Sequence, residues 1–293
     1  MARVEIGVPV YNGAPMLAQS LECLRTQTFD DFRVVIGDNA SDDETAEIAA
    51  DFAARDPRFH HLRRPENVGS LANFQGLRAD AQAELFCWRA YDDLSAPNFL
   101  QALVGLFDAD PETRLAVGQV RTEADDKTTP RITPFIEPPA SPRIRRIRHQ
   151  MFSSHASWIY GLWHRETLAG LQDRVHRDYP HAWGWDHLTL LPVILEGSVR
   201  GTNDTNFVQR IVRGQTTKAE RRAKLPGLAD MRALRRDFDE VARAIVAEHS
   251  WGLTERAVLA AMLPFYVDRR GYDRAKLLRR TARLHLGIGQ ERA

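Results

Sequence analysis

The sequence predicts an α/β protein with a three-layer α/β/α arrangement, a mostly parallel central sheet and a C-terminal helical extension. Two observations support this fold class. Between residues 4 and 93, short apolar runs alternate with segments whose apolar residues recur at helical spacing. This alternation is typical of parallel strands joined by covering helices. From residue 216 onward, the apolar spacing is that of helices.

The first strand is predicted at Val4–Val10, and Pro9 marks its end because proline cannot donate to a sheet ladder. The Tyr11-Asn12-Gly13 sequence then turns the chain, and a helix is predicted at Met16–Arg25. The same alternation continues to residue 93. It predicts strands at Phe32–Ile36, Phe59–Leu62 and Leu85–Arg89, and helices from the acidic cluster at 41–44 to Arg55 and at Leu71–Asp80.

The second half of the chain is less regular. A helix is predicted at Pro97–Asp108 and a strand at Leu115–Val120, whereas Thr122–Arg148 contains five prolines and is predicted to be an extended loop or flap. Later helices are predicted at Arg165–Leu171, Asp186–Leu195, Asp230–His249, Glu255–Arg269 and Asp273–Leu286, with a strand and loop at Val199–Arg213. We therefore expect a domain at 1–215, with halves 1–120 and 121–215, and a helical region at 216–293.

Composition narrows the classes of partner and location. The net charge of +1 gives no general attraction to nucleic acid, although basic residues exceed acidic ones from Thr217 onward. This excess suggests peripheral contact of the C-terminal helices with a membrane, and a helical pair serving a homodimer is the alternative. Cys23 and Cys87 lie in apolar surroundings and are expected to be reduced. With no signal peptide and no spanning helix, we expect a cytoplasmic protein, with the inner membrane face as a peripheral alternative.

Polar residues follow the predicted strands directly. Tyr11, Asp38, Asn67 and the pair Asp92 and Asp93 each come after a strand. Because ligands of parallel α/β sheets bind beyond the carboxyl ends of the strands, we expect these residues to meet at one edge. Mg²⁺ typically uses one or two protein carboxylates together with substrate phosphates. The sequence therefore predicts a divalent-cation site where a diphosphate would bind.

Six short motifs occur in an order and spacing that are specific when taken together. They are Ile6–Asn12, Val34–Thr45, Asn67–Gly69, Trp88–Asp93, Tyr160–Arg165 and Gly184–Leu188. In this arrangement, which covers about residues 3 to 213, the chain resembles the family-two glycosyltransferases of the GT-A fold. The resemblance implies metal-dependent transfer of a sugar, with inversion, from a nucleoside-diphosphate sugar. UDP sugars are the first candidates, and the acceptor would be a saccharide or lipid-linked saccharide in cell-surface polysaccharide or glycolipid synthesis.

The same resemblance assigns roles to individual residues. Asp93 would bind Mn²⁺ or Mg²⁺, and Asp186 would be the general base. Contacts with the donor are implied for Pro9, Tyr11, Asn12, Asp38, Asn67, Gly69 and Asp92.

Two positions depart from the family pattern. Tyr91 stands where the metal motif often has an acid, and Trp185 stands where another acid often precedes the base. These departures support an alternative, a non-catalytic nucleotide-sugar-binding or interaction protein on the same fold. The carboxylates also have structural interpretations, since Asp38 could initiate a turn and Asp186 could stabilise a helix N-terminus.

Other side chains have two open interpretations. Arg210 and Arg213 could clamp a diphosphate, although a solvated surface arginine is the simpler interpretation for each. Aromatic side chains of the second half could stack on sugar rings or belong to the core, and the candidates are Trp158, Trp163, Trp183 and Trp185.

Overall fold

The computed structural model describes residues 2–181, 183–212 and 227–285 of the chain. Within these ranges the chain forms two compact units. The first contains residues 2–137, 154–172 and 198–212, and the second contains the remaining described residues. The units differ from the predicted division at residue 215, because segments 138–153 and 173–197 join the C-terminal helices.

The first unit is built on a mixed sheet in which the described residues form nine strands. The strands are β1 (Val4–Val10), β2 (Phe32–Asp38), β3 (Phe59–Arg63), β4 (Leu85–Trp88), β5 (Leu94–Ser95), β6 (Leu115–Ala124), β7 (Arg131–Thr133), β8 (Leu162–His164) and β9 (Val199–Ile211). Their order is β3-β2-β1-β4-β8-β6-β9-β5, and β7 pairs with β6. The longest pairings are parallel, namely β1 with β2 and β4, β2 with β3, and β6 with β9.

The helices of the described residues largely follow the predictions. They are α1 (Ala14–Arg25), α2 (Thr45–Arg55), α3 (Ser70–Ala79), α4 (Phe99–Ala109), α5 (Arg143–Ser153), α6 (Arg165–Asp178), α7 (Trp185–Glu196), α8 (Leu228–Glu248), α9 (Leu253–Arg270) and α10 (Arg274–His285), with a short 3-10 helix at Ala156–Tyr160. Helices α1 to α4 contact the sheet. Every residue of β1 is buried, as expected for a parallel strand covered on both faces.

The prediction of an extended loop or flap at Thr122–Arg148 is wrong in part. Strand β6 continues to Ala124, β7 pairs with it antiparallel, and α5 begins at Arg143. The helix was missed because arginines surround its apolar residues, although Ile147 and Met151 are buried at helical spacing. The strand predicted within Val199–Arg213 is present as β9, which runs to Ile211 and pairs along most of its length with β6.

The second unit is helical, and its helices pack around aromatic residues. The ring of Phe238 on α8 lies 6.1 Å from those of Tyr179 and Tyr266. The Tyr266 hydroxyl on α9 donates to the carbonyl of His187 on α7 at 3.0 Å. These contacts explain why α7 joins the C-terminal helices. Within the described ranges, no helix has both the length and the apolar character needed to cross a membrane.

Candidate functional site

The loops that follow β1 and β2 are tied together by hydrogen bonds. The backbone N–H of Asn12 donates to Ser41 Oγ at 3.0 Å, and Asn12 Oδ1 accepts from the N–H of Asp42 at 3.1 Å. One residue later, Gly13 donates to Thr45 Oγ1 at 2.9 Å. Asn12 has a φ of 51°, a left-handed conformation that asparagine tolerates better than most residues. The predicted donor residue Asn12 therefore holds two loops in register.

Asp38, at the end of β2, is fully buried. Its Oδ1 accepts from the N–H of Ser41 at 2.9 Å, and its Oδ2 accepts from Arg63 Nη1 at 3.2 Å. His61 Nε2 lies 3.6 Å from the same oxygen. These contacts match the interpretation that Asp38 initiates the following turn. A direct contact between Asp38 and a nucleoside stays a prediction.

The loop after β3 joins the same network through two asparagines. Asn39 Nδ2 donates to Asn67 Oδ1 at 2.8 Å, and Asn39 Oδ1 accepts from the N–H of Val68 at 3.0 Å. Asn67 Oδ1 also accepts from the N–H of Gly69 at 2.9 Å. Gly69 has a φ of 86°, which disfavours any other residue at the start of α3.

A cavity of about 230 Å³ lies where these loops meet the end of β4. It is lined by Pro9, Val10, Tyr11, Asn39, Ser70, Asn73, Phe74, Ala90 and Tyr91. Of the predicted site residues, Pro9 and Tyr11 line this cavity, whereas Asp38, Asn67, Asp92 and Asp93 do not. Sequence reasoning missed Asn73 and Phe74, although their place in the first two turns of α3, after the Gly69 turn, was a usable signal. It also treated Tyr91 only as a departure from a motif.

Asp92 and Asp93 follow β4 in a turn held from α1. Ser20 Oγ donates to the carbonyl of Asp93 at 2.9 Å. Asp93 is only 4% exposed, and its Oδ1 accepts from the backbone N–H of Arg210 at 2.8 Å. Burial raises the pKa of Asp93 to about 7. Burial also raises the pKa of Asp92, and the Arg210 guanidinium opposes that shift.

Two arginines lie close to this pair of carboxylates. Arg210, at the end of β9, donates from Nε to the carbonyl of Asp92 and from Nη1 to Gln19 Oε1 at 2.6 Å. Its Nη2 is buried and has no hydrogen-bond partner among the described residues. The interpretation of Arg210 as a solvated surface arginine is therefore wrong. Arg213 lies outside the described residues.

The second arginine, Arg89, is 2% exposed at the end of β4. Its Nη2 donates to Ser95 Oγ at 2.8 Å, and its guanidinium carbon lies 5.5 Å and 5.2 Å from the ring centres of Phe99 and Phe207. The positive charge of Arg89 lowers the pKa of Asp93, against the larger effect of burial. Asp92 and Asp93 therefore lie near two arginines, Arg89 in the core and Arg210 at the end of β9.

Asp92 and Asp93 fit a divalent cation whose other ligands come from the substrate. Within the described ranges, no group of three or more His, Cys, Asp or Glu side chains is placed to hold a metal. The protein would supply Asp93, with Asp92 beside it, and substrate phosphates would complete the coordination as is common for Mg²⁺. Because burial disfavours the ionised form of Asp93, a cation at this carboxylate would relieve the cost of its negative charge.

A second cavity, of about 370 Å³, adjoins Arg210. It is lined by Met16, Arg121, Glu123, Ala124, Asp125, Lys127, Thr128, Pro130, Arg210, Ile211 and Val212. Arg121 Nε donates to Glu123 Oε1 at 2.7 Å, so opposite charges partly offset each other in its wall. The residues from 124 to 130 that were predicted to be part of a flap form one side of this cavity.

Asp186 belongs to the second unit, in the first turn of α7. Gly184, with a φ of 89°, precedes the helix, and Asp186 Oδ1 accepts from the N–H of His187 at 2.8 Å. Burial raises the pKa of Asp186, while the His187 N–H and the charge of Arg270 oppose that shift. A half-buried carboxylate with a raised pKa is a stronger base than a solvated aspartate.

The four tryptophans of the second half have different surroundings. Trp158 and Trp163 are buried in the core of the first unit. In the second unit, Trp183 is 62% exposed, and the Trp185 ring lies 5.9 Å from that of His176. The core interpretation therefore applies to Trp158 and Trp163, whereas Trp183 has the surface that a sugar contact would need.

Comparison with protein families gives one match that covers more than half of the chain. The family described as Glycosyl transferase family 2 matches residues 5–179. Among curated proteins, the putative glycosyltransferase EpsH of Bacillus subtilis is 30% identical over 124 residues, which are 42% of this chain and 35% of EpsH. The first curated relatives are matched over about a third of their length or less.

Solved structures support the fold. TarS 1–349 of S. aureus in complex with UDP-GlcNAc superposes with a TM-score of 0.63 at 14% identity, covering 89% of this chain and 72% of TarS 1–349. The mannosyltransferase PcManGT of Pyrobaculum calidifontis, in complex with GDP-Man and Mn²⁺, gives a TM-score of 0.52 at 18% identity, covering 99% and 76%. At these identities the likeness concerns the fold, and the expected GT-A-type architecture is confirmed.

Proposed function

This chain belongs to glycosyl transferase family 2, and from that membership we propose that it transfers a sugar from a nucleoside-diphosphate sugar to a saccharide or lipid-linked saccharide. The donor proposed first is a UDP sugar, and the proposed reaction proceeds with inversion at the anomeric carbon. One observation carries the proposal. The buried carboxylate of Asp93 and the half-buried carboxylate of Asp92 lie in the turn after β4. They come directly after Tyr91, which lines the cavity at the ends of the parallel strands.

We assign the nucleoside to the 230 Å³ cavity. Tyr11, Phe74 and Tyr91 give it aromatic walls, which suit the flat face of a base. The hydrogen-bonded loops around Asn12 and Asn39 would keep these walls in place before the donor arrives. Tyr91, which departs from the family pattern, would therefore form part of the donor site.

The diphosphate would lie against the Asp92–Asp93 turn. A divalent cation bound there would supply positive charge to the leaving diphosphate. Asp93 would hold that cation, and Asp92 would contact the ribose or the sugar. Arg210, whose Nη2 has no hydrogen-bond partner among the described residues, would give the diphosphate a second cation, because an arginine stays charged at all relevant pH values.

The proposed chemistry is a single displacement at the anomeric carbon. The acceptor hydroxyl oxygen forms a bond to that carbon while the bond to the diphosphate oxygen breaks. The electron pair of the broken bond leaves with the nucleoside diphosphate, and the hydroxyl proton passes to Asp186. The raised pKa of Asp186 supports this assignment, because a stronger base takes the proton more readily.

Donor binding and donor hydrolysis together test the proposal. Purified protein is first screened by thermal shift against UDP, GDP and TDP sugars, with and without Mn²⁺. We expect one donor to raise the unfolding temperature, with Mn²⁺ strengthening the effect, because a ligand that binds only the folded state stabilises it. Slow release of nucleoside diphosphate from that donor should then be measurable by chromatography, and an acceptor should accelerate it.

The outcomes distinguish the proposed sugar transferase from the alternative that the sequence left open, a non-catalytic nucleotide-sugar-binding or interaction protein. Donor binding without release, even with saccharide and lipid-linked acceptors present, would favour the non-catalytic nucleotide-sugar-binding protein. Failure of every nucleotide sugar to bind would contradict both.

A further inference from the structure

Helix α5 presents a row of positive charge on the second unit. It carries Arg143, Arg145, Arg146 and Arg148, and no acidic residue occurs between 138 and 153. Its inner face buries Ile147, Gln150 and Met151. Arg145, Arg146 and Arg148 are exposed, and none of the three forms an ion pair within the described part of the chain.

The arginines of the C-terminal helices are arranged differently. The sequence led us to expect membrane contact through these helices, yet four of their arginines pair with acids in the described part of the chain. The pairs are Arg235 with Asp268 at 2.8 Å, Arg236 with Asp237 at 2.8 Å, Arg243 with Asp239 at 2.9 Å and Arg274 with Asp268 at 2.8 Å. The acids offset the charge of those four arginines, whereas none of the three exposed arginines of α5 has an acidic partner within the described residues.

Helix α9 adds exposed apolar side chains. Leu253 in its first turn is 87% exposed, and Phe265 three turns later is 64% exposed. The exposed positions between them are Thr254, Arg256, Ala257, Ala260 and Ala261. Leu253 and Phe265 are twelve residues apart on α9 and so lie about 18 Å apart along its axis. Each offers a large exposed apolar side chain that can contact a protein or a membrane.

The two helices lie side by side. At one end, the guanidinium of Arg143 on α5 lies 4.4 Å from the ring centre of Trp251, two residues before Leu253. At the other end, Arg270 Nη2 at the end of α9 donates to the carbonyl of Met151 at 3.0 Å. The exposed arginines and the exposed apolar residues therefore belong to neighbouring helices in contact along the length of α5.

We propose that these helices dock the protein on an anionic lipid surface through Arg145, Arg146 and Arg148 on α5 and Leu253 and Phe265 on α9, which we call the α5/α9 surface. Unpaired arginines bind lipid phosphates, and apolar side chains enter the boundary between headgroups and acyl chains. A soluble polyanion would use the arginines but would leave Leu253 and Phe265 in water. This combination of charge and apolar exposure selects a lipid surface, and the inference does not depend on sugar transfer.

Vesicle co-sedimentation tests the proposal on the full chain. Wild-type protein should bind vesicles of phosphatidylcholine mixed with phosphatidylglycerol and should bind pure phosphatidylcholine far more weakly. Each arginine near an anionic surface contributes about fivefold to the partition coefficient, so the triple variant R145Q/R146Q/R148Q should lose roughly a hundredfold. The double variant L253S/F265S should lose about tenfold or more, because it removes the apolar contact.

A charge-matched control separates a defined surface from net charge. The triple variant R236Q/R243Q/R274Q removes the same charge from arginines that already have partners, and its vesicle binding should change by less than about threefold. Equal losses in the two triple variants would overturn the proposal. Full binding by L253S/F265S, together with equally tight binding to heparin, would overturn it in favour of a soluble polyanion.

One measurement on wild-type protein keeps the proposal falsifiable if a variant folds poorly. Rising salt should weaken vesicle binding but leave a residual fraction bound, because the apolar contact is not screened. Absence of binding to anionic vesicles at low salt would contradict the α5/α9 surface outright. Circular dichroism and thermal unfolding of each variant check that only the surface has changed.

Discussion

The loops after β1, β2 and β3 differ from the turn after β4 in how their polar groups are used. In the three loops, Asn12, Asp38 and Asn39 bond to neighbouring loop residues and hold the backbone in shape. In the turn, Asp93 is buried with a pKa raised to about 7, although two arginines lie nearby. A paired polar group stabilises the fold, whereas a buried carboxylate with a raised pKa is held at a cost. That cost is understandable if a ligand offsets it.

Asp186 resembles Asp93, in the turn after β4, more than it resembles the polar residues of the three loops. Its carboxylate accepts a hydrogen bond from the next residue of its own helix, and burial raises its pKa. Perturbed carboxylates are enriched at functional sites, although structural networks also produce them. The comparison therefore divides the predicted site residues into those that shape the site and those that act in it, and three substitutions test that division.

Asp186→Asn should produce the largest effect. Asparagine keeps the size of the side chain and can still accept from the His187 N–H, but it cannot take the acceptor proton. Because a general base contributes typically 10² to 10⁴ in rate, we expect turnover to fall about a thousandfold. Donor affinity should be unchanged, as measured by titration of the nucleotide sugar. Turnover within a few-fold of wild type would move Asp186 to the structural group.

Asp93→Asn should abolish the dependence of nucleotide binding on metal. Loss of a supporting residue around a metal ligand costs about 10- to 100-fold in affinity, so loss of the ligand itself should cost at least about a hundredfold. Isothermal titration of UDP with and without Mn²⁺ measures this. Asp30→Asn, which changes an exposed carboxylate, is the matched control. Unchanged stimulation by Mn²⁺ would show that Asp93 is not the ligand.

Asp93→Asn should also show how much the ionised Asp93 carboxylate destabilises the fold, because the stability of the wild type should then depend on pH where that of the variant does not. Because the folded-state pKa of Asp93 is raised from 3.8 to about 7, protonation stabilises the fold at low pH, and that stability is lost as pH rises from about 4 to about 7. Asp93→Asn does not have this loss. Without metal, it should therefore be more stable than wild type at pH 8 and show no such advantage at pH 4. Urea unfolding at both pH values measures the difference.

The residues that shape the site were largely predictable from the sequence, whereas those that act in it were predictable only in part. Alternating apolar runs located β1 to β4, and the polar residues after them pointed to one edge of the sheet. Arg210 was misjudged because its place depends on β9 returning parallel to β6, which brings it to Asp93 from 117 residues away. No local spacing encodes such a contact. Helix α5 was missed for a local reason, since its arginines obscure a short apolar face.

Asn39→Ala should have the smallest effect on the reaction and a clear effect on stability. It removes two hydrogen bonds that join the loops after β2 and β3, and it leaves their partners Asn67 and Val68 with groups to satisfy. We expect a loss of about 1 to 3 kcal/mol in the free energy of unfolding, measured with urea. Asp42→Ala, an exposed position in the same loop, should change it by less than about 0.5 kcal/mol. If Asn39→Ala unfolds like wild type but loses donor affinity, Asn39 contacts the ligand and belongs with the acting residues.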